Sequence, residues 1–374
     1  MPNSESLPIL VLNTGSSTFK WALLSEDERF LGTGTEEWAA EDAMSRRTQI
    51  EAKLHSLPPC GAVGHRIVHG GVQFRDSTVI DDTVRRELET LLALDALHMR
   101  PALSALDAAR AAFPDVPHVA VFDTAFHRTL SDAAATYALP KDWTQRWGLR
   151  RFGFHGLSLT WSRDWLRAHV QPFPRRVIVA HLGSGCSVTA LLDGQSVDTS
   201  MGFTPIEGLM MGTRAGSVDP GLLTYLQTHH GIVPLDLEDA LANRSGLLGV
   251  SGVSPDLRYV AQAADDGNAD ARLAYDMFIL NARRAFGAAA GVLGGVDAVV
   301  FTGGIGEHQP RVRREICAAF ETLKLDAVTN DAATKGEISA ADSAVKAYVV
   351  PAREDLVLLH EVRRLTSQAA AAQQ

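Results

Sequence analysis

The sequence predicts an α/β protein made of two half-molecules, and the prediction rests on glycine-bearing turns at the ends of apolar strands. Near the start, Ile9-Leu10-Val11-Leu12 runs into Asn13-Thr14-Gly15-Ser16-Ser17-Thr18-Phe19-Lys20. About half a chain later, Val177-Ile178-Val179-Ala180 runs into His181-Leu182-Gly183-Ser184-Gly185-Cys186-Ser187 and repeats the arrangement. A third passage takes Ala298-Val299-Val300-Phe301 into Thr302-Gly303-Gly304-Ile305-Gly306-Glu307. Open α/β sheets bind ligands at the carboxyl ends of their strands, which is where these turns fall. With 374 residues the chain can form two domains, each with its own core.

In chain order, residues 7–12 and 17–24 read as strands, so the first turn closes a hairpin. It matches neither the Walker nor the dinucleotide-binding glycine pattern. Residues 81–94 and 101–113 carry apolar residues at helical spacing, and 116–122 is a short strand ending at Asp123-Thr124. The pattern restarts beyond Arg150-Arg151, which places a domain boundary near residue 150. Helices follow over 158–170, 220–229, 235–242, 269–293 and 311–323. Gly287, Gly291, Gly294 and Gly295 interrupt the longest uncharged stretch, which reads as a tightly packed helix end and not a membrane span. A last strand, 345–350, reaches Pro351-Ala352-Arg353-Glu354-Asp355. The helix after it is expected to pack back on the first domain, giving domains of 1–149 with 356–374, and 150–355, with a frayed tail from Ser367.

A formal net charge of −9 argues against a nucleic-acid or anionic-membrane partner, while leaving room for a local basic site. Cys60, Cys186 and Cys317 are too scattered for a metal site or a disulfide framework, which fits a reducing, cytoplasmic compartment. The first eight residues lack the layout of a signal peptide.

Several side chains stand where chemistry could occur. Ser16, Ser17 and Thr18 offer hydroxyl and backbone donors to phosphate, and Lys20 a point charge; a plain hairpin with a solvated lysine is the alternative. Arg66, in Gly64-His65-Arg66-Ile67-Val68-His69-Gly70-Gly71, and Arg214, in Gly208-Leu209-Met210-Met211-Gly212-Thr213-Arg214-Ala215-Gly216, sit among small and apolar residues. A planar guanidinium there can take a carboxylate or phosphoryl group bidentately, or form a structural ion pair. His155 lies between glycine-flanked aromatics, and taken alone reads as structural. Asp123 alone reads as a helix cap, Glu354 as surface charge and Cys186 as a turn residue.

Taken together, VLNTGSSTFK, GHRIVHGG, VAVFDTAFHR, RRFGFHG, AHLGSGCS, DTSMGFTPIEGLMMGTR, SGLLGVSG and VVFTGGIGE closely resemble, in order and over nearly the whole chain, the acetate kinase family. That family, which includes propionate kinases, belongs to the acetate and sugar kinase, actin-like ATPase superfamily. The resemblance implies duplicated βββαβαβα domains of the actin-like, ribonuclease H-like type, with a nucleotide cleft between them. It implies a homodimer that makes an acyl phosphate from acetate or another short carboxylate and ATP, reversibly, with Mg²⁺ or alternatively Mn²⁺. Arg66 then corresponds to the carboxylate clamp, Arg214 and His155 to the groups that steady the transferring phosphoryl, and Asn13 and Glu354 to the metal positions.

The remaining positions carry over in the same way. Lys20 with Ser16 and Thr18, His181-Leu182-Gly183-Ser184-Gly185, Asp256-Leu257-Arg258 and Gly303-Gly304-Ile305-Gly306-Glu307 correspond to the nucleotide segments. Val68, Leu97, Phe154 and Pro205 correspond to a small apolar pocket for the acyl tail. The family's proton-acceptor position falls on Asp123. A short carboxylic acid is already ionised at neutral pH, so Asp123 is expected instead to orient the metal shell or Arg66. A propionate or butyrate kinase, or a non-catalytic actin-like nucleotide-binding protein, are the alternatives. The chain departs from the family at Met99-Arg100, at Leu157 and Leu159, at Ser184 and at Arg353.

Overall fold

Each half carries at the centre of its sheet an apolar strand flanked by strands of that sheet, and the computed structural model describes the chain over residues 7–15, 18–37, 43–332 and 334–372. The chain forms two units, residues 1–128 with 353–374, and residues 129–352. In the first, β1 (Ile9–Thr14), β2 (Thr18–Leu24), β3 (Phe30–Glu37), β4 (Ala62–Ile67), β5 (Thr78–Val79) and β6 (His118–Phe122) are ordered β3-β2-β1-β4-β6-β5. In the second, β7 (Arg176–Leu182), β8 (Cys186–Leu192), β9 (Gln195–Thr199), β10 (Ala298–Thr302), β11 (Gly336–Glu337) and β12 (Lys346–Val349) are ordered β9-β8-β7-β10-β12-β11. The two orders are the same. In each, the opening strand is antiparallel to the next and parallel to the strand on its other side. The duplicated α/β architecture implied by the family resemblance is therefore present.

Period-2 alternation sorts the side chains of the first sheet onto two faces. Leu10, Leu12 and Val63 share a buried cluster with Ile50 and Leu54 of the helix Ala43–His55 and with Ala105 and Ala108 of the helix Ala96–Ala112. On the other face, a Cβ at Gly64 would meet Val362 and Leu358, both in the helix Glu354–Ala372. That helix thus closes the first sheet and brings Glu354 with it. In the second sheet every residue of β10 is buried, which explains its unbroken apolar sequence.

Several elements differ from expectation. The helix expected at residue 101 begins at Ala96 and contains Pro101; the Asp95 carbonyl accepts from Met99 N at 3.0 Å and starts the helix ahead of the proline. The helix expected over 311–323 is Pro310–Cys317, after which turns centred on Cys317 and Phe320 take over. The glycine turn after β10 is a short helix, Gly303–His308, entered through Gly303 at φ +77°. The helix Ala269–Leu293 has the expected span, but a Cβ at Gly287 or Gly291 would touch nothing, because these glycines lie on its open face. The tail does not fray at Ser367, since the last helix runs to Ala372. Among the described residues no helix is long and apolar enough to cross a membrane.

Candidate active site

In the first unit, four side chains from distant parts of the chain meet at one place. Asn13 and Arg66 lie one residue before the ends of β1 and β4, Asp123 directly follows β6, and Glu354 opens the last helix. Arg66 donates from Nε to Asp123 Oδ1 at 3.2 Å and from Nη2 to Asp123 Oδ2 at 2.5 Å. Its Nη1 donates to Asn13 Oδ1 at 3.0 Å, and Glu354 Oε2 lies 3.8 Å from Nε. Asn13 Nδ2 donates to Glu354 Oε2 at 2.8 Å. Asp123 is fully buried. Burial of Arg66 works against its charge, but the nearby carboxylates, Asp123 first and Glu354 next, outweigh that and hold the guanidinium firmly cationic.

Lys20 pairs in register with Asn13 across β1 and β2, so its exposed side chain leaves the same face of the sheet. Thr18 is half-buried, and its carbonyl accepts from Gly15 N at 2.8 Å. Ser16, and the side chain of Leu97, lie outside the described residues. Val68 is buried, and so is Met99, which packs with Ile67, Phe74 and Phe122. The Met99 departure therefore feeds an apolar core. Arg353 is engaged by Asp355 at 2.8 Å and lies over the Phe30 ring, which directs its charge to those neighbours.

The oxygen donors of Asn13, Asp123 and Glu354 are those a hard divalent cation prefers. Among the described residues no three His, Cys, Asp or Glu side chains form a metal cage.

In the second unit, the His155 and His181 rings stack with centroids 4.0 Å apart. His155 Nδ1 lies 3.0 Å from Ser187 Oγ, and His181 Nδ1 lies 2.8 Å from Ser158 Oγ. Ser158 is fully buried and Leu157 and Leu159 pack beside it in the core, so those two departures change apolar packing while the histidine partner is kept. His155 adopts φ +61°, a left-handed conformation that a residue with a side chain takes at a cost of about 1–3 kcal/mol. A Cβ at Gly185 would stand 3.3 Å from both Arg214 Nη1 and His155 Nε2. An oxygen placed over this glycine would therefore meet an N–H donor from Arg214 and, in the tautomer whose Nδ1 accepts from the Ser187 hydroxyl, a second from His155 Nε2. Arg214 Nη1 also donates to the carbonyl of buried Pro205 at 3.2 Å; Phe154 is buried as well.

A cavity of about 460 Å³ opens in the same unit. Gly183, Ser184, Asp256, Leu257, Arg258, Gly304 and Ile305 line it, together with Gly212, Thr213, Pro255, His308 and Gln309. Sequence reasoning missed the last five, although Gly212 and Thr213 stand directly before Arg214 and His308 and Gln309 directly follow the glycine segment. Asp256 caps the next helix, accepting from Arg258 N at 2.9 Å, and its carboxylate pairs with the Arg258 side chain at 2.5 Å. That hydrogen-bonded pairing holds the Asp256 carboxyl below its usual range.

His181, Leu182, Gly185, Gly303, Gly306 and Glu307 are not among the cavity's lining residues. Leu182 is a core side chain. Glu307 Oε1 accepts from Gly303 N at 2.9 Å and Ala352 N at 3.0 Å, tying the end of β10 to the segment beyond β12. A Cβ at Gly303 would press on the Leu182 carbonyl, so glycine lets these two strand ends approach.

The chain is similar in sequence and fold to known proteins. The sequence profile of the Acetokinase family matches residues 39–360. The acetate kinase of Heliobacterium modesticaldum is 38% identical, with 96% of this chain and 99% of that protein covered, and that of Acetivibrio thermocellus is 39% identical over 96% and 98%. The crystal structure of Porphyromonas gingivalis acetate kinase superposes with a TM-score of 0.86 at 33% identity, covering 96% of this chain and all of that one. A propionate kinase from Francisella tularensis superposes with a TM-score of 0.87 at 32% identity, over 96% and 99%. With a profile match across most of its length and relatives matched nearly end to end, the chain belongs to the acetokinase family.

Proposed function

We propose that the protein is an acetate kinase, transferring the γ-phosphoryl group of ATP to acetate to give acetyl phosphate and ADP, reversibly and by direct in-line displacement. The observation that carries this reading is the cationic Arg66 held on Asp123 beside Asn13 and Glu354, in a chain whose relatives bear that name. A protein that only bound nucleotide would have no use for a second, carboxylate-directed guanidinium.

Arg66 takes the acetate carboxylate, and Asp123 fixes the plane of the guanidinium by accepting from two of its nitrogens. Because acetate is already ionised, Asp123 needs to remove no proton. Asn13 and Glu354 would hold Mg²⁺, which would supply neutralisation of phosphate charge, with Lys20 and the hydroxyl turn on the phosphates. Residues of the 460 Å³ cavity take the nucleoside end of ATP, a size in the range of small-molecule sites. Arg214 and His155 donate to the phosphoryl oxygens as charge builds on them, which is most of what a protein contributes to this reaction. The acyl tail is assigned to Val68 and Leu97 of the first unit and to Phe154 and Pro205 of the second. We further infer a cytoplasmic homodimer.

A propionate preference is the second reading, favoured by the fold similarity to the Francisella tularensis propionate kinase. An acyl phosphate assay trapped with hydroxylamine, run with ATP, Mg²⁺ and acetate, propionate or butyrate in turn, decides between them. The highest kcat/KM is expected with acetate. Product with none of the three would overturn the acyl-kinase reading.

A further inference from the structure

Glu207 stands in the DTSMGFTPIEGLMMGTR motif without a role assigned above, and it sits at the centre of a bonded cluster. Its Oε1 takes Arg151 Nη2 at 2.7 Å, and its Oε2 accepts from the Tyr137 hydroxyl. The Tyr137 oxygen in turn accepts from Phe203 N at 2.8 Å. A Cβ at Gly202 would land on both Glu207 and Tyr137, so the loop closes over the carboxylate only because residue 202 is glycine. The Gly202 carbonyl accepts from Phe152 N at 3.0 Å and Gly153 N at 3.3 Å, three and two residues before His155. On the far side, Pro205 lies two residues before Glu207 and its carbonyl takes Arg214 Nη1 at 3.2 Å. Arg151 Nη1 donates to the carbonyls of Thr199, Ser200 and Met201 and so pins the start of the same loop.

We propose that Glu207 is a positioning residue: held by Arg151 and Tyr137, its carboxylate locks the segment that carries His155 to the loop that carries Arg214. His155 sits on a left-handed backbone that its surroundings must hold in place, and Arg214 leans on a loop carbonyl. With the carboxylate removed, both donors over Gly185 lose their common frame. The proposal rests on the reading that these two donors act on the transferring phosphoryl group.

The test compares wild type, Glu207→Gln and Tyr137→Phe by kcat, the KM for acetate and for ATP, ADP binding by calorimetry, and near-ultraviolet circular dichroism. Misplacing catalytic groups by about 1 Å costs on the order of 10²-fold in rate, so kcat of Glu207→Gln should fall by that order while ADP affinity stays within about twofold. Tyr137→Phe keeps the Arg151–Glu207 ion pair and loses the hydroxyl that donates to Glu207 Oε2 and accepts from Phe203 N; it should fall less, and it decides the matter if Glu207→Gln does not fold. Wild-type kcat in the folded variants would overturn the proposal. So would a fall in kcat matched by an equal fall in ADP affinity with loss of near-ultraviolet signal, which marks a merely structural role. A wild type that makes no acyl phosphate would overturn the acyl-kinase reading and this inference with it, whereas an active wild type with unaffected variants overturns this inference alone.

Discussion

Replacing Arg66 by alanine should cost stability as well as activity, and the structure sets the size of the effect. The guanidinium makes two bonds to Asp123, whose side chain is 1% exposed, and one to Asn13. Removing it leaves a buried carboxylate with its principal counter-charge gone, a loss of about 3–5 kcal/mol. At roughly 2–4 °C per kcal/mol for a unit of this size, the calorimetric transition of the first unit should fall by about 6–20 °C. Asp123→Asn should cost less, about 1.5–3 kcal/mol, since Arg66 keeps Asn13 and has Glu354 at 3.8 Å. A double-mutant cycle of Arg66→Ala with Asp123→Asn should return a coupling above about 1 kcal/mol, because the two residues share one bonded network. Coupling below about 0.5 kcal/mol, the limit of simple additivity, would refute the claim that Asp123 holds Arg66.

Acid should weaken the first unit before its carboxylates titrate. His65 Nε2 lies 3.0 Å from His118 Nδ1, both are buried, and His118 Nε2 is 3.0 Å from the Phe113 carbonyl. Burial above all, and for His65 the neighbouring His118 and Arg110, lower both affinities for a proton below the ordinary value of 6.5. The unfolded chain then binds more protons below pH 6.5, so this contribution is complete above that pH and is lost as pH falls through it. The slope approaches about 1.4 kcal/mol per pH unit per histidine, and a His65→Val/His118→Val variant with an equal slope in calorimetry would contradict the assignment. Burial also pushes the thiols of Cys60 up to about 11 and of Cys186 and Cys317 up to about 12. Iodoacetamide at pH 8 should therefore modify none in the native protein and all three after unfolding, by mass spectrometry; a native adduct would show the packing to be wrong. Arg214→Ala should lose about 10²- to 10³-fold in turnover with ADP binding retained, and near-normal turnover would remove Arg214 from the mechanism.

What was legible in the sequence follows from burial. The strands β1, β7 and β10 lie at sheet centres, so their apolar runs gave them away. By contrast β3 is an edge strand carrying Thr33, Thr35, Glu36 and Glu37, and β9 carries Gln195, Ser196, Asp198 and Thr199; neither has an apolar run to read. The strand β4 was hidden by its own chemistry, because Gly64-His65-Arg66 draws attention as a site before it reads as a strand. Site residues followed a different rule. Asn13 and Glu354 are hydrogen-bonded across 341 residues, and Tyr137 and Glu207 across 70. No local spacing encodes such pairs. Glu354 was reached only through motif resemblance, and Glu207, which stands in a motif but bears no obvious chemistry there, was passed over.

The duplicated sheets show why one fold can supply two kinds of chemistry. Asn13 and His181 occupy corresponding places, each one residue before the end of its unit's opening strand, and the strands paired with them are β4 in one unit and β10 in the other. In the first unit these ends carry side chains with full charges or strong dipoles, Asn13, Arg66 and, after β6, Asp123. In the second they run into glycines, Gly183 and Gly303, and a Cβ at Gly303 would press on the Leu182 carbonyl, so its absence lets the two strand ends come together. A side-chain cluster suits a small anion and a metal ion, since a guanidinium and a few oxygens can surround them. Backbone exposed by glycine suits a large ligand that must lie close against the chain. On the function proposed above, the division of labour follows from which residues stand at equivalent strand ends, while the sheet that presents them is the same.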